Sequence, residues 1–258
     1  MTNPHGSPIW YELLTPDAEA SKKFYENVIG WTVRDAEPGG MDYRMIDAGE
    51  GDFAGGLMGL TAEMQGGGAK PTWLFYIGVD DVDASVAKIE AAGGSVRMPA
   101  IDMPGVGRMA LVADPQEIPF YVMRGASPEE SMAYQRTGMG KCNWNELYTP
   151  DQAAANAFYA DVFGWTYPDR MAMGELGDYI FVAVEGEQIG ATMPAPPGAP
   201  HLWQFYFRVP DIDAAANKVK AAGGMVVMGP QEVPGGERVI GALDPHGVSF
   251  GLVASAAQ

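Results

Sequence analysis

Two glutamates stand at matching positions in similar stretches of the chain, and their surroundings favour acid–base chemistry. Glu12 follows Trp10 by two residues, and Glu146 follows Trp144 by two residues. In a β-strand such neighbours share one face, because successive side chains point to opposite sides of the sheet. A carboxylate held among aromatic rings has its charged form disfavoured, which raises its pKa toward the range of a general base. Glu146 and Glu12 are therefore the candidate catalytic residues.

A second interpretation of the same glutamates is structural. An arginine beside a carboxylate stabilises the charged form and makes the two groups an ion pair. Arg208 is the candidate partner of Glu146. Arg108 and Arg238, which occupy matching positions in the two similar stretches, are candidate partners of both glutamates. A catalytic role, a ligand-orienting role and a structural role all remain open at this stage.

The elements that carry these residues belong to a tandem repeat. Residues 10–31 match residues 144–165 at 12 of 22 positions, and residues 73–99 match residues 203–229 at 14 of 27 positions. Matching residues are 134 positions apart in the first pair of blocks and 130 positions apart in the second pair. The middle loop of the first copy is therefore four residues longer than that of the second copy. Repeats of this length indicate two domains of ordinary size rather than a solenoid.

Each copy shows the order strand, helix, strands twice, which predicts two βαβββ modules per copy. In the first copy an apolar strand over residues 9–14 leads into a helix. Thr15 is expected to cap this helix and Gly30 to end it in a left-handed conformation. Asp81 is expected to cap the helix of the next module. A single module leaves an open sheet edge, so we expect the modules to pair.

The composition supports two folded domains. With 258 residues, of which 47% are hydrophobic, each half has enough apolar surface for a core. We predict a first domain over residues 7–125, a linker over 126–140 and a second domain over 141–254. Four tryptophans are expected in the cores: Trp31, Trp73, Trp165 and Trp203.

Charge and composition limit the partners. The formal net charge of −17 repels phosphate backbones and anionic membrane surfaces, so nucleic acid and membranes are poor partners. No run of about 18 apolar residues is present to span a bilayer. A single cysteine, Cys142, fits a reducing compartment, and we expect a cytoplasmic location. The expected partner is a small molecule, and the expected state is a monomer or a weak homodimer.

The order of several short motifs resembles that of a known family. The motifs are Phe24-Tyr25, Gly30-Trp31, Asp81-Val82-Asp83 and Asp114-Pro115, and in the second copy Phe158-Tyr159, Gly164-Trp165, Asp211-Ile212-Asp213 and Asp244-Pro245. In this order, found twice, they resemble the vicinal oxygen chelate superfamily, which includes glyoxalase I, bleomycin-resistance proteins and extradiol dioxygenases. The resemblance covers nearly the whole chain outside the linker and the termini. It implies an α+β fold of two tandem domains, each a pair of βαβββ modules forming a cup-shaped mixed sheet with helices outside.

The resemblance also implies where a metal would bind. Enzymes of this family usually hold a divalent metal on His, Gln or Glu side chains of the cup. The matching positions are Trp10, Leu74 and Tyr121 in the first copy, and Trp144, Gln204 and Gly251 in the second. Only Gln204 has a side chain that can donate to a metal. No cofactor and no metal ligands are therefore expected, although a divalent metal held in another way, through Glu12 or Glu146, stays possible.

Strand alternation then predicts which side chains line the two cups. The expected ligand-binding residues are Trp10, Tyr76 and Tyr121 in the first copy, and Trp144, Tyr148, Gln204, Tyr206 and Arg208 in the second. Aromatic walls with a few polar groups are typical of small-molecule sites. The lining of the second copy is the more polar one, which favours Glu146 over Glu12 as the functional residue.

Three functions fit these observations. The first is the binding of a small hydrophobic or cationic molecule in an aromatic cup, without the usual metal of the family. The second is a lyase or isomerase of glyoxalase type, or a dioxygenase-related enzyme, that uses Glu146 as its general base. The third is a non-catalytic structural module. The substituted metal positions favour the first function over the second, and the polar lining of the second copy argues against the third.

Overall fold

The computed structural model describes residues 3–255, and both copies contain the same sequence of elements. The first copy consists of β1 (Pro8–Thr15), α1 (Ala18–Ile29), β2 (Thr32–Val33), β3 (Tyr43–Asp47), β4 (Phe53–Gly59), α2 (Ala62–Gly66), β5 (Thr72–Gly78), α3 (Val82–Ala91), β6 (Ser95–Met103), β7 (Gly107–Ala113) and β8 (Pro119–Gly125). The second consists of β9 (Cys142–Thr149), α4 (Gln152–Phe163), β10 (Arg170–Ala172), a 3-10 turn (Gly174–Leu176), β11 (Asp178–Val184), β12 (Glu187–Pro194), β13 (Leu202–Arg208), α5 (Ile212–Ala221), β14 (Met225–Val233), β15 (Glu237–Leu243) and β16 (Ser249–Ser255).

The strands form two mixed sheets of eight. Their orders are β2-β3-β4-β1-β5-β8-β7-β6 and β10-β11-β12-β9-β13-β16-β15-β14. Within each module the first strand runs parallel to the last, as in the pairs β1 with β4 and β13 with β16, while the hairpin strands are antiparallel. The predicted fold class, α+β with two tandem mixed sheets and helices outside, is confirmed.

The compact units of the molecule combine modules from both copies. Unit A consists of the described residues up to Ile9, Leu74–Ser131 and Trp144–Trp203, and unit B of Trp10–Trp73, Met132–Asn143 and the residues from Gln204 onward. Unit A therefore joins the second module of the first copy to the first module of the second. Unit B joins the two outer modules. The predicted domain limits follow the sequence repeat, whereas the side-chain cores follow these units.

An aromatic cluster forms the core of unit B. The Tyr25 ring on α1 lies 5.3 Å from the Phe250 ring on β16 and 5.6 Å from the Trp73 ring. Its hydroxyl donates to Asp244 Oδ2 at 3.2 Å and accepts from Trp73 Nε1 at 3.1 Å. Burial raises the pKa of the Asp244 carboxyl and raises the pKa of the Tyr25 hydroxyl well above its usual value.

Unit A repeats this cluster with its own residues. Tyr159 on α4 lies 5.7 Å from the Phe120 ring on β8, and its hydroxyl donates to Asp114 Oδ2 at 3.2 Å. Trp203 Nε1 donates to the same hydroxyl at 3.0 Å. The pKa of the Asp114 carboxyl is again raised by burial. In each unit, the tyrosine of a Phe-Tyr motif from one copy thus forms a buried hydrogen bond with the aspartate of an Asp-Pro motif from the other copy.

The four tryptophans predicted to be buried are confirmed as core residues. Each is at most 4% exposed: Trp31, Trp73, Trp165 and Trp203. Their burial adds large apolar area to both units, which is the main source of stability in folded domains.

The helix ends follow the sequence with one correction. Asp81 caps α3 and Gly30 ends α1 at a φ of 90°, both as predicted. Thr15, however, does not cap α1. Asp17 does so by accepting from the backbone N–H of Ala20, which is the third residue after the cap and the position an N-cap side chain satisfies. Thr15 is fully buried, and its hydroxyl forms a hydrogen bond with Ser21 at 2.7 Å.

Among residues 3–255, no helix has the length and apolar character needed to cross a lipid bilayer.

Candidate functional site

A chain of hydrogen bonds in unit A contains Glu146, which is the favoured one of the two candidate catalytic glutamates. Trp144 Nε1 donates to the Tyr179 hydroxyl at 2.6 Å, and that hydroxyl donates to Glu146 Oε2. Glu146 is only 6% exposed. A hydroxyl has one donor and two acceptor positions, so Tyr179 can relay between the indole and the carboxylate. The chain holds the carboxylate in one orientation and places an O–H donor directly beside it.

Strand register explains how these residues meet. Ala191 on β12 is opposite Glu146 on β9 and also opposite Phe181 on β11. Its small side chain leaves room above the sheet for larger groups from both neighbouring strands. The Phe181 ring lies 6.0 Å from the Trp144 ring and 5.6 Å from the Tyr179 ring, edge-on in both cases. Glu146 is therefore framed by three aromatic residues on two strands.

Tyr179 and Phe181 were not among the residues singled out from the sequence. A signal for the tyrosine exists, because Asp42-Tyr43 in the first copy is matched by Asp178-Tyr179 in the second. This match is out of register with both of the stronger repeat blocks. The doublet opens the middle hairpin of each copy, and it can be found only when the loop-length difference is allowed for.

Unit B contains the equivalent arrangement from the first copy. Trp10 Nε1 donates to the Tyr43 hydroxyl at 2.8 Å, and Glu12 is 2% exposed. Gly56 is the register partner of Glu12, and a Cβ built on it would lie 2.1 Å from the Tyr43 hydroxyl. A glycine is thus required where the Tyr43 ring crosses the strand. The two copies share the tryptophan–tyrosine contact beside a buried glutamate.

The remaining predicted ligand residues of the first copy are stacked on each other. Tyr76 on β5 and Tyr121 on β8 are register partners in unit A. Their ring centroids are 4.2 Å apart at an interplanar angle of 11°, and both side chains are buried. Tyr148, a predicted ligand residue of the second copy, is half-buried and follows Glu146 by two residues on β9.

Gln204 and Tyr206 form a buried polar pair in unit B. Ser249 donates to Gln204 Oε1, and Gln204 Nε2 donates to the Tyr206 hydroxyl at 3.2 Å. The Tyr206 ring lies over Gly251, because a Cβ on that glycine would be 2.3 Å from Tyr206 Cδ1. Both Gln204 and Tyr206 are 4% exposed. The first copy has Leu74 in place of Gln204, so it cannot make this hydrogen-bonded pair.

The arginines proposed to neutralise the glutamates have other partners. Arg208 is 5% exposed and donates to Glu237, to Asn143 and, at 3.3 Å, to the Ser255 hydroxyl. Arg108 pairs with Asp83 at 2.7 Å, and Arg238 pairs with Asp213 at 2.6 Å. The structural interpretation based on these arginines is therefore wrong. Each is bonded within its own module or to a strand beside it, and the Arg208 guanidinium holds β9, β13, β15 and β16 together.

The side chains at the positions that the family resemblance assigns to a metal do not suit a divalent metal. Trp10, Tyr121 and Trp144 present aromatic groups, Leu74 an alkyl group, and Gly251 no side chain. The carbonyl oxygen of Gln204, the remaining position, accepts from Ser249. Residues 3–255 contain no group of three or more His, Cys, Asp or Glu side chains arranged to hold a metal ion. Divalent metals need several imidazole, carboxylate or thiolate donors at short range, and this set does not supply them.

We predict that the purified protein contains no stoichiometric divalent metal. The reason is the donor set just described, in which one amide replaces the usual three or four ligands. Elemental analysis of protein produced in metal-supplemented medium measures this directly. About one zinc, nickel, iron or manganese per chain would contradict the prediction and would require a binding arrangement through other residues.

Comparison with known proteins identifies the family to which this chain belongs. A family profile described as the Glyoxalase/Bleomycin resistance protein/Dioxygenase superfamily matches residues 8–121 and 141–252. The Mycobacterium tuberculosis protein named "Putative glyoxylase CFP32" is 35% identical over 98% of this chain and 96% of its own length. The Streptomyces peucetius protein named "Anthracycline biosynthesis protein DnrV" is 33% identical over 96% of this chain and 93% of its own length.

Solved structures share the fold at lower identity. The Mn(II)-bound glyoxalase of Novosphingobium aromaticivorans superposes with a TM-score of 0.68 at 18% identity, covering 98% of this chain and 83% of that one. The 2,3-dioxygenase LapB of Pseudomonas sp. KL28 superposes with a TM-score of 0.66 at 16% identity, covering 98% and 94%. The family profile matches both repeats and the relatives match nearly end to end, so this chain belongs to the glyoxalase/bleomycin resistance protein/dioxygenase superfamily.

Proposed function

We propose that the protein binds a small hydrophobic or cationic organic molecule in its second copy, with Glu146 and Tyr179 as the polar anchor and without a divalent metal. The observation that carries this proposal is the hydrogen-bond chain from Trp144 through Tyr179 to Glu146. It supplies a fixed, buried carboxylate with an aromatic surround, which is the composition of a small-molecule site. The names of the relatives, a glyoxylase and an anthracycline biosynthesis protein, are consistent with small organic ligands.

The chemistry of the anchor favours a ligand that carries a hydrogen-bond donor. A carboxylate offers about four acceptor positions, so Glu146 can accept from a ligand hydroxyl or ammonium in addition to Tyr179. Such a charge-assisted hydrogen bond is about twice as strong as a neutral one. The rings of Trp144 and Phe181 offer apolar contact for the body of the ligand and cation–π contact for a charged amine.

A lyase or isomerase activity is the second candidate, and one contact favours it. The Tyr179 hydroxyl touches the Glu146 carboxylate, so one group can accept a proton and the other can donate a hydrogen bond. In a reaction of this type Glu146 takes a proton from the carbon beside a carbonyl. The protonated Glu146 then donates to the Tyr179 oxygen, which frees the single Tyr179 O–H to donate a hydrogen bond to the oxygen on which negative charge develops. The third possibility, a structural module without a ligand, is an outcome of the test below.

We predict that Glu146→Gln weakens ligand binding at least tenfold, while Glu12→Gln changes it less than threefold. Loss of a charge-assisted hydrogen bond costs about 1.5–3 kcal/mol, which is roughly one to two powers of ten in affinity. Tryptophan fluorescence, to which Trp10 and Trp144 contribute, identifies the ligand from a panel of metabolites and antibiotics. Calorimetry with metal-free protein then gives the dissociation constants.

Glu12→Gln is the matched control, because the same change is made at the corresponding position of the first copy. Tyr179→Phe should weaken binding in the same direction as Glu146→Gln, since it removes the hydroxyl that orients the carboxylate. Equal or reversed effects of the two glutamate variants would rule out the second copy as the functional one. A panel without any ligand would support the structural module. Turnover of a bound compound that disappears in Glu146→Gln would support the enzyme.

A further inference from the structure

A groove on the helix side of unit A has no role in the function proposed above. It lies between α4 and the strands β10 and β11, and its volume is about 460 Å³. Its lining residues are Asn156, Tyr167, Pro168, Asp169, Arg170 and Ile180. This volume falls in the range of about 300–1,000 Å³ that is usual for small-molecule sites. None of the lining residues belongs to the chain of Trp144, Tyr179 and Glu146.

At the equivalent position, the first copy has an ion pair. Lys22 Nζ on α1 lies 2.7 Å from Asp35 Oδ1, just beyond β2. The hydrogen bond between them lowers the pKa of Asp35 and raises the pKa of Lys22. In the register that aligns Trp10 with Trp144, Asn156 corresponds to Lys22 and Asp169 corresponds to Asp35. The second copy thus has the carboxylate without the ammonium.

The surroundings of Asp169 do not replace that ammonium. Asn156 is neutral, and its amide oxygen accepts from the Thr192 hydroxyl at 2.8 Å. The Asp169 carboxylate accepts from the backbone N–H of Arg170 at 2.7 Å, and no ion pair formed within residues 3–255 includes it. The Arg170 guanidinium pairs with Asp178 at 3.3 Å instead. The groove therefore carries a negative charge that its counterpart neutralises with a lysine.

The walls of the groove are suited to an apolar body. Tyr167 is half-buried, and its hydroxyl donates to the backbone oxygen of Asn156 at 2.9 Å, which fixes the ring. Pro168 and Ile180 complete the apolar lining. The first copy has the smaller Val33 at the position of Tyr167. The formal net charge of −17 also favours the approach of a cation over that of an anion.

We propose that this groove binds a small organic amine. The ammonium of the ligand occupies the place that the Lys22 ammonium has in the first copy and pairs with Asp169. The apolar body of the ligand packs on Tyr167, Pro168 and Ile180. The site is separate from the ligand site of the second-copy sheet and does not depend on it.

The experiment uses 2-phenylethylamine as the probe and the full-length protein. Backbone amide resonances in ¹H–¹⁵N NMR spectra locate the probe, and their shifts during titration give the dissociation constant. We expect the largest shifts at residues 167–170, and we expect Asp169→Asn to weaken binding about three- to fivefold, which is the upper end for an exposed ion pair. Asn156→Lys should weaken it similarly, because it brings an ammonium to Asp169 as in the first copy. Raising the salt concentration should also weaken binding.

Two controls isolate the charge. Asp161→Asn removes the same charge from an exposed position on α4 outside the groove, and it should leave the affinity unchanged within about twofold. The uncharged 2-phenylethanol, which matches the probe in shape, should bind more weakly than the amine and should not respond to Asp169→Asn. The proposal is overturned if the amine shifts no resonance of the groove. It is equally overturned if Asp169→Asn and Asp161→Asn bind the amine alike.

Discussion

Neither half of the chain should fold as a monomer when it is produced alone. The core of unit B is made from both halves, because Tyr25 packs on Phe250 and Tyr11 packs on Phe205 at 5.2 Å. Unit A is divided in the same way. Cutting between the copies exposes at least five buried aromatic side chains, at about 2 kcal/mol each, which equals the whole stability of a typical domain of about 5–15 kcal/mol. Separate production of residues 1–130 and 131–258, followed by urea unfolding and sedimentation, measures the effect.

The control for this prediction is the same cut made in the folded protein. Proteolysis in the exposed segment near residues 126–130 breaks the chain but leaves both halves of each core in place. The nicked protein should keep its cooperative unfolding transition, and the two halves should regain it when mixed. Folding of a half only as a dimer is compatible with the structure, because a second copy supplies similar modules. A half that unfolds cooperatively as a monomer would contradict the two-unit core.

Replacing Asp114 by alanine should destabilise the protein by about 3 kcal/mol, because its carboxylate satisfies three hydrogen-bond donors. Its carboxylate accepts from the backbone N–H groups of Gln116 and Ile118 at 2.9 and 3.0 Å and from the Tyr159 hydroxyl. Removing it leaves the Ile118 N–H and the Tyr159 hydroxyl buried without this acceptor and the Gln116 N–H partly buried without it, and each fully buried loss costs about 1–3 kcal/mol. Equilibrium unfolding in urea gives the free-energy difference.

The effect of Asp114→Ala can be separated from that of losing any aspartate. Asp83 lies in the same unit and forms an exposed ion pair with Arg108, so Asp83→Ala should cost only a small fraction of the loss. Asp244→Ala tests the same contact in unit B and should match Asp114→Ala closely, because His246, Val248 and Tyr25 donate to Asp244 in the same pattern. Similar losses for Asp83→Ala and Asp114→Ala would show that the buried hydrogen bonds add little.

Much of the fold could be predicted because the repeat and the local signals agree. Gly30 and Asp81 act through local backbone geometry, and the sequence reveals such roles directly. The buried tryptophans follow from strand alternation and helix ends. The sequence predicts the N-cap of α1 two residues too early, because Thr15 and Asp17 both have capping side chains. Only the burial of Thr15 beside Ser21 decides between them.

The pairing of modules is beyond the reach of sequence reasoning for a physical reason. The first and third modules are similar in sequence, as are the second and fourth, so the composition of their apolar faces does not distinguish between pairings. Which faces meet depends on the linker and on long-range packing, and neither leaves a periodic pattern. The same holds for the arginines. The sequence offers several carboxylates as possible partners of Arg208, and only the folded arrangement of the strands brings Glu237 to it.

The candidate site was predicted in part. Trp144 and Glu146 follow from strand alternation, and the structure places them in one hydrogen-bond chain. Tyr179, which joins them, lies on another strand whose spacing between copies differs from that of the main blocks. A residue of this kind is recognised as part of the site only from its contacts in the folded structure. With Tyr179, the site is a carboxylate with an adjacent hydroxyl rather than an isolated carboxylate.

The glycine beneath Tyr206 excludes a metal-binding side chain at position 251. Any side chain at position 251 would begin 2.3 Å from the Tyr206 ring, so a glutamate cannot occupy this position while the tyrosine stays. Removing Tyr206 first would leave a void above a bare backbone and release Gln204 from its partner. Each single step is thus worse than the present state. A carboxylate at this place therefore requires two coordinated substitutions, at Gly251 and at Tyr206, so the residues at these two positions are coupled.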